Sequence, residues 1–341
     1  LTQNRRIAVD VMGGDFGPSI TVPAALDVMS RHPRLELVLA GDASKIEPLL
    51  EANKADRQRI EVLHCKQTIS SDDKPEGILR SGRGSSMFLA IEQVQKQLAG
   101  ACVSAGNTGA LLLAGRHLLK TIPGIEKPAI MATIPVTRSG GYSYLLDVGA
   151  NLHNTHTELF GFARMGALVA TSLSGRSPCR VALLNNGEES SKGTAVIQDA
   201  ARLLSACQDF EYIGFIEGNQ IFSGRADVIV CDGFTGNITI KVSAGAVTAM
   251  KRQIQRSISK HWYYRMFSWI LSPLFSDLRK EVEPTRYNGA TLIGLQGIVV
   301  KSHGHADRTG FSRAIEHAIK QINDNVPALI ASRMAADPVS H

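Results

Sequence analysis

The sequence predicts an α/β fold built on a largely parallel sheet with both faces covered. Three observations predict it. Short apolar runs suited to strands alternate with longer segments whose apolar residues recur with helical period, the rhythm of repeated β–α units. Most of these runs end in a small polar turn, as at Asp232-Gly-Phe-Thr-Gly-Asn237, the form taken by the mouth of an α/β site. The chain of 341 residues, 44 % hydrophobic and 20 % charged, is globular in composition and long enough for a sizeable core.

Taken in order, strands are predicted over 7–11, 35–40, 60–63, 101–104, 129–135, 143–147, 180–184, 212–217, 228–231 and 297–301. Each is short, rich in Val, Ile, Leu or Ala, and bounded by Gly, Asp, Asn or Pro. Helical periodicity occupies 21–29, 45–52, 87–98, 110–119, 157–172, 194–207, most of 242–278, and 311–323. Pro23 sits in a first turn, where its missing N–H costs nothing. Residues 70–86 break the rhythm with a polar stretch that includes a short helix beside the site, and 289–295 reads as a turn and an apolar segment. The last ten residues read as a fraying tail. No low-complexity linker divides the chain, so residues 1–341 read as one domain, with 247–280 projecting from it as an amphipathic helical pair.

Several function classes are disfavoured. The formal net charge of +6 suits an acidic partner, but the cations are scattered outside one region and no nucleic-acid-binding motif accompanies them. The five cysteines include no C-x-x-C pair, which argues for a reducing, cytoplasmic setting. The N-terminal residues run straight into a strand without an apolar leader, and no run of 18 apolar residues is present. Met12-Gly-Gly-Asp-Phe-Gly-Pro18 does not have the G-x-G-x-x-G spacing of a dinucleotide fold, and neither a G-x-x-x-x-G-K-[ST] loop nor G-x-S-x-G occurs. No cofactor is expected. No metal is expected either, since His303, His305 and Asp307 are the nearest approach to a ligand cluster.

The strand-end turns lie at Asp10 to Gly14, Ser104 to Gly109, Asp147 to Asn151, Asn185 to Gly193, Asp232 to Asn237 and Ser302 to Gly304. In a parallel sheet such ends gather on one edge, and their content of Gly, Asp, Asn, Ser, Thr and Lys suits a small anion. Lys192 either neutralises a phosphate or a developing oxyanion, or is a solvated loop lysine paired with Glu188 or Glu189. Asn237 and Asn107 either donate their amides to a carbonyl oxygen or cap helices. Asp10 and Asp232 either position donors and handle a proton or cap turns. Cys231 reads as a buried strand cysteine rather than a nucleophile.

Residues 251–280 carry seven Lys or Arg and one acid, together with both tryptophans. Ile254, Ile258 and Trp262 share a helical stripe, which Met266, Ile270 and Leu274 extend beside Trp269. Two compatible readings stand: packing within the protein or against a second copy, and an interfacial contact with an anionic membrane. The same cations could receive an acidic carrier protein.

Five blocks together carry a resemblance: Ala8-Val-Asp-Val-Met-Gly-Gly-Asp-Phe-Gly-Pro18, Val103-Ser-Ala-Gly-Asn-Thr-Gly109, Leu146-Asp-Val-Gly-Ala-Asn151, Leu184-Asn-Asn-Gly-Glu-Glu-Ser-Ser-Lys-Gly193 and Val230-Cys-Asp-Gly-Phe-Thr-Gly-Asn237. On these the chain resembles the bacterial phosphate acyltransferases (acyl-ACP:phosphate acyltransferases) of phospholipid synthesis, from residue 7 to about residue 319. The resemblance implies a three-layer α/β/α sandwich similar to isocitrate and isopropylmalate dehydrogenases and to phosphotransacetylase. It implies transfer of a long acyl group from acyl carrier protein to inorganic phosphate, with neither nicotinamide nor an obligatory metal. It also implies a homodimer at the membrane periphery that supplies a membrane glycerol-3-phosphate acyltransferase.

Carried over by motif, Lys192 and Asn237 are assigned to catalysis, supported by Asp232. Asp10, Gly13, Gly14, Asn107, Thr108, Gly109, Asn151, Gly233 and His303 are assigned to phosphate or substrate. Ile258, Trp262, Met266, Trp269 and Ile270 are assigned to membrane or dimer contact. His305 stands where the family often has serine and is not carried over. The expected chemistry is direct attack of phosphate on the thioester. The alternatives are a short-chain acyl-CoA phosphate acyltransferase, a non-enzymatic carrier-protein scaffold at the membrane, and a dehydrogenase on the same fold.

Overall fold

The computed structural model describes residues 5–137, 141–260, 263 and 288–334. The chain opens with β1 (Arg6–Asp10), α1 (Pro18–Arg31), β2 (Glu36–Gly41), α2 (Ala43–Ala52) and β3 (Ile60–His64). The polar segment holds the short α3 (Gly77–Arg80), followed by α4 (Ser86–Gln95), β4 (Ala101–Ser104) and α5 (Thr108–Leu119). Next come β5 (Ala129–Pro135), β6 (Tyr142–Leu146), α6 (His156–Ser174), β7 (Arg180–Leu184), α7 (Ala195–Ala206), β8 (Glu211–Ile216) and β9 (Val228–Val230). The 27-residue α8 (Gly233–Ser259) follows. β10 (Ala290–Ile293), β11 (Ile298–Lys301), α9 (Arg308–Asn323) and α10 (Val326–Met334) complete the described chain.

The strands form one 11-stranded sheet in the order β3-β2-β1-β4-β11-β10-β5-β6-β9-β7-β8. β1 to β4 and β11 run parallel, as do β6, β9, β7 and β8. Between the blocks, β10 is antiparallel to both β11 and β5, and β5 is antiparallel to β6. Three reversals leave the second block pointing opposite to the first. The expectation of one common edge for all strand ends is therefore corrected: the ends of β1, β4 and β11 point one way, those of β6, β9 and β7 the other. The segment read as a turn and apolar stretch is the strand β10 that helps produce the reversal.

The register adds a second fact. One row runs through Val9, Val103, Val300, Thr291, Met131, Leu146, Val230 and Leu183. In both blocks the strands end within about a residue of this row. The two sets of loops thus leave the same level of the sheet in opposite directions, with β10 and β5 between them.

Alternation sets the layers. Ile7 and Val9 face one side, where α1 and α9 pack, and Ala8 faces the other, where α4 and α5 pack. With both faces covered, β1 beyond Arg6 is buried at every position. In the second block α6, α7 and α10 cover one face. The other is covered by Ile134, Ile221, Ala226 and the partly buried Phe222 and Ile240. The helix α10 replaces part of the predicted tail, because Val326, Ile330 and Met334 recur at i+4 and are all buried.

In α8 only Gly233 and Gly236 are buried. Phe234, Ile238, Val242, Met250 and Ile254 are exposed, and Ile258 is half-buried. Trp262, Met266, Trp269 and Ile270, with most of the predicted projection beyond residue 260, lie outside the described residues. Among the described residues no helix is long and apolar enough to cross a membrane.

Candidate active site

The second block's loops are organised by Asp147, which is fully buried at the end of β6. Its Oδ1 accepts from the amides of Ile130 (3.0 Å), Gly149 (3.2 Å) and Ala150 (3.0 Å). Its Oδ2 accepts from the Asn151 amide (2.8 Å) and the Asn151 side chain (3.0 Å). Burial pushes the carboxyl above its ordinary value, although these donors favour the ionised form. The Asn151 side chain also donates to the Pro128 carbonyl at 2.8 Å. The Asn151 carbonyl accepts from the Gly233 amide at 2.8 Å, which ties the β6 turn to the start of α8.

The start of α8 is fixed in two further ways. Asp232 is its N-cap: Oδ1 accepts from the Thr235 amide and Oδ2 from the Thr235 hydroxyl, each at 2.8 Å. Both carboxylate oxygens are thus engaged in shaping the helix start. Gly236 has no room for a side chain, since a Cβ there would lie 2.9 Å from the Asp147 carbonyl carbon and 3.0 Å from Cys231 Sγ. This close approach sets Asn237 against Gly149, whose φ of 126° favours glycine and whose Cβ position lies 3.5 Å from Asn237 Cβ and Cγ. Asn237 is half-buried, and its side chain has no hydrogen-bond partner among the described residues.

Lys192 lies in the loop after β7, which pairs directly with β9 through Leu183 and Val230. Lys192 and Asn237 therefore follow neighbouring strands that end on the same edge. Gln198 donates to the Ser191 carbonyl at 3.0 Å, which braces the loop, and Gly193 packs against the Asn185 side chain. Glu188 pairs instead with Arg225, at 3.0 Å, and with Gln220. Lys192 is exposed and has no ion-pair partner among the described residues, so the reading that pairs it with Glu188 or Glu189 fails.

Cys231 is buried, and its thiol is pushed well above its ordinary value by burial and by the Asp232 and Asp147 charges. That agrees with the buried strand cysteine the sequence suggests.

The first block's loops form the other group. Asp10 is buried and accepts from the Ser104 hydroxyl at 2.6 Å. Burial pushes its carboxyl up, against the bonds it accepts. A Cβ on Gly13 would lie 2.7 Å from both Asp10 Oδ2 and the Gly106 amide, and one on Gly14, at φ 83°, would meet Ala105 and the Gly304 carbonyl at 3.0 Å. The amide of Asp15 donates to the Gly304 carbonyl at 3.0 Å. These contacts knit the loops after β1, β4 and β11 together.

Asn107 caps α5 through the Ala110 amide, at 3.1 Å, and donates to the carbonyls of Ser70, Ser71 and Asp73. Its amide is therefore occupied in holding the polar segment, and the expected donation to a substrate is replaced by that role. Thr108 opens α5, and Gly109 packs against Pro75. His303 is exposed and its amide donates to Asn288 Oδ1 at 3.0 Å. Asp307 caps α9, and His305 pairs with Asp15 at 2.9 Å.

Three residues that sequence reasoning did not select stand out. Asp147 orders one group, although its place at a strand end was visible. Asn288 joins Ser302 and Gly310 while holding the His303 amide, and nothing in the sequence near it signals this. Lys301 closes β11, half-buried; a cation at the last position of an apolar strand was the available signal.

The architecture defines a class before a family. The chain shares its fold with a phosphotransacetylase from Streptococcus pyogenes at a TM-score of 0.63, with 16 % identity over 95 % of both chains. It also shares it with 4-hydroxythreonine-4-phosphate dehydrogenase from Klebsiella pneumoniae at a TM-score of 0.53, with 14 % identity over 94 % of this chain and 98 % of that one. At such identities the likeness shows an α/β/α fold common to acyl-transfer enzymes and dehydrogenases.

Sequence relatives narrow it. Residues 5–329 match the family described as "Fatty acid synthesis protein". The chain is 43 % identical over 335 residues to the phosphate acyltransferase of Halorhodospira halophila, covering 98 % of this chain and 97 % of the relative. It is 44 % identical over 329 residues to that of Shewanella woodyi, covering 96 % of each. The chain belongs to this fatty acid synthesis protein family, the one its sequence blocks resemble.

Proposed function

We propose that the protein is a phosphate acyltransferase that moves a long acyl chain from acyl carrier protein to inorganic phosphate, yielding acyl phosphate and free carrier. The observation that carries this reading is the pair formed by Lys192 and Asn237. They follow neighbouring strands, and neither side chain has an ionic or hydrogen-bond partner of its own among the described residues. An unpaired cation and an unpaired amide beside a glycine-lined turn suit an anion and a developing oxyanion.

In the reaction a phosphate oxygen attacks the thioester carbonyl carbon. A C–O bond forms, the C–S bond breaks, and the electron pair leaves on sulfur as a thiolate that takes a proton from solvent. Lys192 holds phosphate charge, Asn237 donates to the oxyanion, and Asp232 positions Asn237 by capping α8. Asn151 and Gly233 fix the wall of the site. Asp10, Gly13, Gly14, Thr108, Gly109 and His303 contribute the second cluster of loops to substrate binding. A thiolate whose acid has a pKa of about 8.5 is a good leaving group, and alignment of two bound reactants lowers the barrier without a covalent intermediate. The buried Cys231 thiol is a poor candidate for such an intermediate.

The exposed apolar residues of α8 support a surface that meets the acyl chain, a second copy, or an anionic membrane carrying the glycerol-3-phosphate acyltransferase. A long-chain acyl-thioester of the carrier protein, incubated with the purified protein, should release free thiol and form acyl phosphate only when phosphate is present. Thiol release that does not depend on phosphate, or an acyl group trapped on Cys231, would overturn direct attack. Preference for acetyl-CoA would favour the short-chain reading instead.

A further inference from the structure

We propose that Lys301 is a binding residue for a phosphate group, held by the first block's loops in addition to the site built around Lys192. This inference rests on the acyl-transfer reading for the identity of the ligand, but the charge argument does not.

Lys301 ends β11 beside Ser104 of β4 and is half-buried. Its ammonium donates to the Ala105 carbonyl at 3.3 Å and to the Ser302 carbonyl. An ammonium has three donors, so one remains. No carboxylate among the described residues forms an ion pair with it. The two acids whose charge reaches it are otherwise placed: Asp10 is buried and takes the Ser104 hydroxyl, and Asp15 pairs with His305. Burial lowers the Lys301 pKa to about 8, with Asp10 and Asp15 opposing the shift.

A partly desolvated cation that has no direct ion pair, and that Asp10 and Asp15 compensate without touching it, keeps a donor for an incoming anion. The loops after β1, β4 and β11 pack closely beside Lys301: a Cβ on Gly13 would meet Asp10 Oδ2 and the Gly106 amide, and one on Gly14 would meet Ala105 and the Gly304 carbonyl, and His303 lies two residues along the chain. The shared chemistry is a phosphate group. It could be inorganic phosphate or the phosphodiester of the carrier protein's pantetheine arm.

Lys301→Met tests the proposal, with Lys301→Arg as the charge-keeping partner. Methionine removes the charge at similar length, and melting temperature checks that both variants fold. Loss of a charge-assisted contact should weaken the phosphate-group interaction about 10- to 100-fold. If inorganic phosphate is the ligand, its KM rises by that factor in the Met variant while the donor KM stays within about twofold. The rise in melting temperature that phosphate gives the wild type also shrinks. If the phosphodiester is the ligand, the KM for acyl-pantetheine phosphodiester donors rises while that for a simple acyl-cysteamine thioester does not. Partial recovery in the Arg variant supports either source. Unchanged constants and an unchanged phosphate-induced melting shift would overturn the proposal. A wild type that binds phosphate but shows no acyl transfer would sink the functional reading alone, and the melting shift would still decide the role of Lys301.

Discussion

The sharpest test of how Asn237 is placed is Gly236→Ala. A methyl group there would lie 2.9 Å from the Asp147 carbonyl carbon, 3.0 Å from Cys231 Sγ, and well inside contact distance of the Asp147 carbonyl oxygen. Two of these atoms are backbone, so the helix start has to move, by roughly 1 Å to restore ordinary contact. Overpacking of this kind costs about 1–3 kcal/mol, and a displacement of about 1 Å in a catalytic group can cost about 100-fold in rate. Gly245→Ala on the same helix is the control. Nothing lies within 4 Å of its Cβ position, and alanine in a helix interior is favoured over glycine by about 1 kcal/mol. The assay is phosphate-dependent thiol release, paired with thermal melting. The expected result is a large loss of kcat and a lower Tm for Gly236→Ala, with activity kept and Tm equal or higher for Gly245→Ala. Wild-type activity in Gly236→Ala would refute the argument that the close approach of α8 to β6 positions Asn237.

Three further outcomes follow from the same geometry. Asn237→Ala should lower kcat about 100- to 1,000-fold, the cost of one oxyanion donor, with no fall in Tm, whereas Lys192→Met should act mainly on the phosphate KM; steady-state kinetics separates the two. The phosphate KM should rise as pH passes about 8, because Lys301 loses its proton there in the free protein while phosphate is already dianionic; the charges of Asp10 and Asp15 act on the same group and His303 feels its charge, and Lys301→Arg should remove the rise if Lys301 is its source. Stability should fall as pH drops from 6.5 towards 4, since burial lowers the His317 pKa from 6.5 to about 4 and the unfolded chain binds the extra proton in that window; denaturant titration of His317→Gln should show a weaker dependence there.

The β–α rhythm was legible because buried strands and amphipathic helices leave different periods in the sequence. The polar strand ends were legible as well, and Asp232-Gly-Phe-Thr-Gly-Asn237 is a strand end and helix cap as its residues suggest. Strand direction was not legible. An apolar run such as Ala290-Thr-Leu-Ile293 has the same pattern whichever way it points, and direction is decided by pairing partners far along the chain. The split of the strand ends into two groups follows from that choice and could not be read locally. Asn107 shows a similar limit: a cap and a substrate donor require the same residue, and only the position of residues 70–73 decides between them. The helix α10 was within reach, since Val326, Ile330 and Met334 carry its period.

The division of the loops bears on how many anions the protein holds. Five strand spacings separate β11, which carries Lys301, from β7, which precedes Lys192, or about 24 Å along the sheet at about 4.8 Å each. The sheet's twist, about 20–25° per strand, also turns the two blocks relative to each other over that span. If the two lysines hold different phosphate groups, the double variant Lys192→Met/Lys301→Met should lose transition-state stabilisation equal to the sum of the single losses within about 0.5 kcal/mol, as independent sites do. If the twist instead folds both loop groups over one phosphate, the first removal already weakens what the second would remove. The cycle would then show a coupling of about 1 kcal/mol or more. Measured as kcat/KM for phosphate with the donor saturating, additivity separates an extended site from a single cup, and strong coupling would refute the two-anion reading.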